Sequence, residues 1–126
     1  MLVTLTGATG LIGSRLVAAL LVRGDAVTVL SRNPERARAA LGDVEAHAWD
    51  PVAGPAPVEA LSGRDAVVHL AGETLAQRWT AESRCTIQDS RVLGTRNLVA
   101  GLRDADPRPR ALVCASGVGY YGPRGD

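Results

Sequence analysis

Five short apolar runs, separated by stretches in which hydrophobic positions recur every three or four residues, set the pattern of this chain. Leu2–Thr6, Ala26–Leu30, Val44–Trp49, Ala66–Leu70 and Ala111–Ala115 predict strands. Four of them are nearly continuous in apolar side chains, as expected of parallel strands covered on both faces. Val44–Trp49 differs, because Glu45 and His47 alternate with small residues, which predicts an edge position. Between the first two strands Ile12, Leu16, Ala19 and Leu20 share one helical face, and Gly24 supplies the stop. Asn33 and Pro34 read as N-cap and first residue of a short second helix that runs through Ala40 and ends at Gly42. Pro51, Gly54, Pro55 and Pro57 break regular structure, leaving room for a turn or two of helix before the fourth strand. Thr80–Arg103 predicts a long helix with Val92, Thr95, Val99 and Leu102 on one face, and the glycine-rich segment 117–126 predicts a loop.

Strands alternating with helices have one common solution, a parallel sheet with right-handed crossovers and helices on both faces. The expectation is an α/β, Rossmann-type doubly wound sheet of five strands in the order 3-2-1-4-5, forming one domain over 1–126. Its ligand crevice is expected at the carboxyl ends of strands 1 and 4, where the order reverses.

Composition narrows the picture. A chain of 126 residues has room for one core and not two. Net charge is +1, which gives no electrostatic footprint for nucleic acid or anionic membrane. All 14 basic residues are Arg, so within this chain no lysine amine can serve as Schiff base or proton donor. Cys85 and Cys114 have neither a CxxC spacing nor histidines at zinc-site spacing, so two reduced thiols are expected and no metal is implied. The N-terminus lacks the pattern of a signal peptide, and no apolar run approaches the roughly 18 residues of a membrane span. A soluble, cytoplasmic protein is the expectation.

The strongest chemical signal is Thr6-Gly7-Ala8-Thr9-Gly10-Leu11-Ile12-Gly13, at the end of the first strand and the start of the first helix. Gly7 permits a tight turn, Gly10 lets backbone approach a pyrophosphate, and Gly13 lets the helix pack closely on the strand. Phosphates would sit against free N–H groups at a positive helix end. Gly7, Thr9, Gly10, Leu11, Ile12 and Gly13 are therefore candidate cofactor-binding residues. At the end of the second strand, an NAD-binding protein usually offers an acidic residue to the ribose 2′-hydroxyl. This chain offers Ser31 and Arg32, with Arg36 one turn further on, groups that favour a 2′-phosphate through charge-assisted hydrogen bonds and so favour NADP(H). Asp50 fits two readings, an acceptor for the adenine amino group or a turn former before Pro51. After the fourth strand, small residues at Ala71 and Gly72 let backbone approach the ribose and phosphates, and Leu70, Ala71 and Gly72 join the candidate set. His69, in an apolar run, reads as a satisfied core imidazole rather than a catalytic one.

Gly7-Ala8-Thr9-Gly10-Leu11-Ile12-Gly13, His69-Leu70-Ala71-Gly72-Glu73, Ser90-Arg91-Val92-Leu93-Gly94-Thr95 and Ser116-Gly117-Val118-Gly119-Tyr120-Tyr121-Gly122 together resemble the extended short-chain dehydrogenase/reductases. The likeness is to their atypical branch, the NAD-dependent epimerase/dehydratase or sugar-nucleotide epimerase type, and it runs over essentially the whole chain. It implies that a Ser or Thr just after the fifth strand bonds the substrate, and Ser116 is the matching position. It also implies a downstream Tyr-x-x-x-Lys, which does not occur in these residues, and an Asn where this chain has Arg91. The resemblance therefore implies the NADP(H)-binding portion of an oxidoreductase or epimerase-like protein, binding cofactor without turning over substrate. A cofactor-sensing or interaction protein is the alternative. The apolar, uncharged fifth strand is expected to form a homodimer or higher assembly through its open edge.

Overall fold

The structure, a computed structural model, describes residues 1–73 and 75–116. Five strands, β1 (Leu2–Thr6), β2 (Ala26–Ser31), β3 (Glu45–Ala48), β4 (Ala66–His69) and β5 (Ala111–Cys114), form one sheet. Every pairing is parallel, and the order is β3-β2-β1-β4-β5, as the strand–helix alternation predicts. The crossovers are α1 (Leu11–Arg23), α2 (Pro34–Leu41) and α3 (Ala81–Asp104), with a short 3₁₀ turn at Val58–Ala60. The expected loop over 117–126 lies outside the described residues.

The central strand β1 is buried on both sides, and its alternation assigns one set of side chains to each layer. Val3 and Leu5 join Val17 and Leu20 of α1, Val27 and Val29 of β2 and Ala37 of α2 in one core. Opposite them, Leu30, Trp49, Leu61, Val67 and Leu98 form a second core beneath α3. The hydroxyl of Thr4, on that second side, donates to the Ala60 carbonyl at 2.6 Å and so ties the 3₁₀ turn to the sheet.

Two helix faces depart from the sequence pattern, and glycine is the reason in both. In α1 the buried residues are Gly13, Val17 and Leu20, while Ile12 is 69% exposed and Ala19 is also exposed. A Cβ on Gly13 would stand 2.3 Å from the Gly7 oxygen, so Gly13 must face inward, and this turns Ile12 out. In α3 the buried residues are Ile87, Gly94, Leu98 and Gly101, whereas Val92 and Val99 of the expected face are exposed. Gly101 lies against the Ala56 oxygen, where a Cβ would come within 2.5 Å, and Gly94 abuts Pro51. Close approach by small residues, not the aliphatic stripe, sets the rotation of both helices.

The helix ends follow local chemistry. Asn33 caps α2 by accepting from Arg36 N at 3.0 Å, with Pro34 at the first helical position. Thr80 and Ser83 form a reciprocal capping box at the start of α3. At the far end of the sheet Asp25 accepts from Arg23 Nε at 2.5 Å and from the Met1 ammonium at 2.6 Å. These two bonds, the Arg23 bond foremost, hold its carboxyl below the ordinary carboxylate value.

Candidate cofactor site

A crevice of about 870 Å³ opens at the carboxyl ends of β1 and β4, at the reversal of strand order. Its floor is the turn Gly7–Gly10, where Gly7 takes φ +68°, a left-handed value suited to glycine. A Cβ on Gly7 would also lie 2.6 Å from Leu70 C and 2.7 Å from Ala71 N, so the turn meets the end of β4 backbone to backbone. Gly10 has an ordinary extended conformation and meets only the Gly7 oxygen, at 3.3 Å. The space it leaves belongs to the crevice, which Gly10 lines.

Gly10 is also the N-cap of α1, and having no side chain it leaves the first-turn amides uncapped, with no acidic residue in that turn. An uncapped helix start beside a glycine cradle fits a dinucleotide's pyrophosphate in charge and in space. Thr9 lines the crevice with Gly7 and Gly10. Leu11 and Ile12 stand in the first turn, both exposed, and Gly13 lies beneath, packed on the turn rather than in the crevice.

One rim is formed by Ser31, Arg32 and Arg36, which all line the crevice as a group. Both guanidiniums are exposed, and among the described residues neither is held in an ion pair. The Ser31 hydroxyl accepts from Asn33 N at 3.1 Å, which fixes the turn leading from β2 to α2. Asp50 borders the same region, and its Oδ1 accepts from Val52 N at 3.2 Å. That bond is the turn-forming reading of Asp50, made while the residue also faces the crevice.

The opposite wall is Leu70, Ala71, Gly72 and Glu73. The Thr6 hydroxyl holds it from below, accepting from Leu70 N and Ala71 N at 3.2 and 3.1 Å. From above, Ser90 Oγ accepts from Glu73 N at 2.9 Å, and Arg91 Nη1 donates to the Glu73 carbonyl at 3.1 Å. Arg91, the departure from the family's Asn, thus lies over the wall, its guanidinium within 3.3 Å of where a Gly72 Cβ would stand. Ser116, two residues past β5, is exposed. His69 is buried, as its apolar run predicts, and bonds Thr6 through Nδ1 at 2.7 Å.

Sequence reasoning found Arg36 on α2 but not Ala37 and Ala40 beside it, nor Thr86, Asp89, Ser90 and Leu93 of α3, which also line the crevice. The motif Ser90–Thr95 was visible, but only tertiary placement brings it to the crevice.

A parallel sheet with a glycine turn at its switch point defines a Rossmann-type domain. The chain matches the sequence model of the NAD dependent epimerase/dehydratase family over residues 3–126. It belongs to that family. Epimerase family protein Mb2239 of Mycobacterium bovis is 40% identical over 121 residues, covering 95% of this chain and 38% of that protein. The chloroplastic SDR39U1 homolog of Arabidopsis thaliana is 36% identical over 132 residues, covering 97% and 36%. Among solved structures, human epimerase family protein SDR39U1 (isoform 2) with NADPH superposes with TM-score 0.77 at 33% identity, over 98% of this chain and 39% of that one. A short-chain dehydrogenase/reductase superfamily protein from Agrobacterium tumefaciens with bound NAD gives 0.71 at 27% identity, over 93% and 33%. The chain therefore spans under two-fifths of the length of these relatives. No helix among the described residues is long and apolar enough to cross a membrane.

Proposed function

We propose that this chain is the cofactor-binding part of a reductase- or epimerase-type protein, and that it holds NADP(H) in preference to NAD(H). The observation that carries the reading is the rim of Ser31, Arg32 and Arg36, with two guanidiniums, neither in an ion pair among the described residues, just beyond β2 where a carboxylate would select the 2′-hydroxyl. The human relative crystallised with NADPH supports it. Gly7, Thr9 and Gly10, with the first-turn amides of Leu11 and Ile12, bind the pyrophosphate. Leu70, Ala71 and Gly72 lie along the ribose, and Asp50 borders the adenine. The bound nicotinamide supplies hydride transfer, and substrate turnover belongs to the whole protein, with Ser116 as the substrate-bonding hydroxyl.

Titration calorimetry with NADPH and NADH tests the preference. NADPH binds at least tenfold more tightly, the size of a charge-assisted hydrogen bond. Arg32→Glu reverses the order by setting a carboxylate against the 2′-phosphate. Equal affinities for the two cofactors would overturn the reading.

A further inference from the structure

We propose that Thr6 and His69 act together as a positioning unit for the dinucleotide, pinning the Leu70–Ala71 wall against the glycine turn, and that protonation of His69 releases it. The inference rests on the cofactor reading above and adds a control to the same site.

Three hydrogen bonds meet at the Thr6 hydroxyl: His69 Nδ1 at 2.7 Å, Ala71 N at 3.1 Å and Leu70 N at 3.2 Å. The two peptide N–H groups can only donate, so they take the oxygen's two lone pairs, and the hydroxyl hydrogen is left for Nδ1. His69 is thereby fixed as the neutral tautomer with its proton on Nε2. The arrangement is buried, with Thr6 0% and His69 5% exposed. It stands directly below the place where Gly7 and Leu70 meet backbone to backbone. Any slackening of the two hydrogen bonds from Leu70 N and Ala71 N therefore moves a wall of the crevice.

A second proton on His69 turns Nδ1 from acceptor into donor. Three donors would then converge on an oxygen with two lone pairs, and the hydroxyl hydrogen would lose its acceptor. Leu70 N also bonds the Thr6 carbonyl at 3.2 Å, so its bond to the hydroxyl is the one most readily surrendered, and the end of β4 loses one of its two ties to the Thr6 side chain. Around the imidazole stand Thr6 from β1, the ring of Trp49 at 6.5 Å and the register partner Cys114 of β5. Among the described residues no carboxylate or guanidinium contributes to its titration, and burial alone holds its pKa below the ordinary imidazole value. The unit is accordingly engaged at neutral pH and released on the acid side.

The test begins with ¹⁵N spectra of the histidines in the folded protein, which report tautomer and titration directly. Nδ1 unprotonated at neutral pH is the expected result, and a proton on Nδ1 there overturns the proposal. NADP⁺ is then titrated calorimetrically at pH 8 and at the acid pH where the His69 signal has shifted, with circular dichroism confirming the fold. The 2′-phosphate itself takes up a proton near pH 6, as phosphate monoesters do. The quantity compared is therefore the ratio of the two affinities in the parent protein and in His69→Asn, which keeps an acceptor but does not titrate. The parent's ratio exceeds the variant's about tenfold, the scale of one lost buried hydrogen bond. Thr6→Val weakens binding at pH 8 by a similar factor, and Thr6→Ser restores it. Equal ratios in parent and His69→Asn, or global unfolding before His69 titrates, overturn the positioning unit while leaving the cofactor reading intact. Absence of binding by the parent at pH 8 overturns both.

Discussion

Replacing Gly13 by alanine puts a methyl carbon 2.3 Å from the Gly7 oxygen and 2.8 Å from Ala8 Cα, where real contacts do not fall below 3.0 Å. Both obstacles are backbone, so α1 must retreat from the sheet and draw Val17 and Leu20 out of the core they share with β1 and β2. Overpacking against a side chain costs about 1–3 kcal/mol, and a backbone obstacle belongs at the upper end, about 3 kcal/mol. In a domain of this size that lowers the melting temperature by about 10 °C. Gly10, one turn earlier, supplies the control. Its backbone is extended at φ −73° and a Cβ there meets only the Gly7 oxygen at 3.3 Å. Gly10→Ala therefore costs about 0.5 kcal/mol, the small preference of an N-cap for glycine over alanine. Gly10→Val fills the crevice instead, abolishing dinucleotide binding while the sheet persists. Thermal melts followed by circular dichroism, paired with cofactor titration, separate the two positions. A Gly13→Ala protein melting within about 2 °C of the parent would refute the close approach of α1 to the turn, and binding by Gly10→Val would refute the phosphate site.

At the other end of the sheet, Asp25 is ionised more readily folded than unfolded, so its contribution is full above the ordinary carboxylate value and fades as pH falls through the lowered one. Asp25→Asn accordingly melts below the parent at pH 7, and the gap closes in acid; a gap unchanged down to pH 2 would contradict the ion pairs. The β5 edge, with all four residues exposed, is proposed to pair with a second copy of the chain. Sedimentation equilibrium then finds dimers that Val113→Lys shifts toward monomer, and a parent that stays monomeric at high concentration removes the proposal.

The sheet was legible because parallel strands buried on both faces are nearly continuous in apolar residues, and Val3–Leu5, Val27–Leu30 and Val67–Val68 are broken only by Thr4 and Thr28, both buried. The glycine turn was legible because the glycines at 7, 10 and 13 meet requirements that are local to a strand–turn–helix. What periodicity missed was the rotation of the helices. A hydrophobic pattern scores Val92 and Val99 as core and cannot credit Gly94 and Gly101, whose value lies in the atoms they let approach. The hydroxyl of Thr6 was equally silent, since nothing in the chain says that residues 63 to 65 positions away will bring their imidazole and peptide N–H groups to it.

That separation has a consequence for the order in which the molecule assembles. The first strand, its turn and α1 are contiguous, so the glycine turn forms from neighbours in sequence. Its opposing wall arrives only when β4 is laid beside β1, closing a loop across Thr6 and His69, 63 residues apart. A chain that has made its first βαβ unit thus carries a glycine turn but half a crevice. On the proposed reading the dinucleotide bridges both halves and binds the completed sheet and not its precursor, so that bound cofactor would raise the free energy of unfolding by mass action. So placed, it would act as a clasp across the longest closure in the sheet, and its protection against unfolding would be lost together with the β1–β4 pairing.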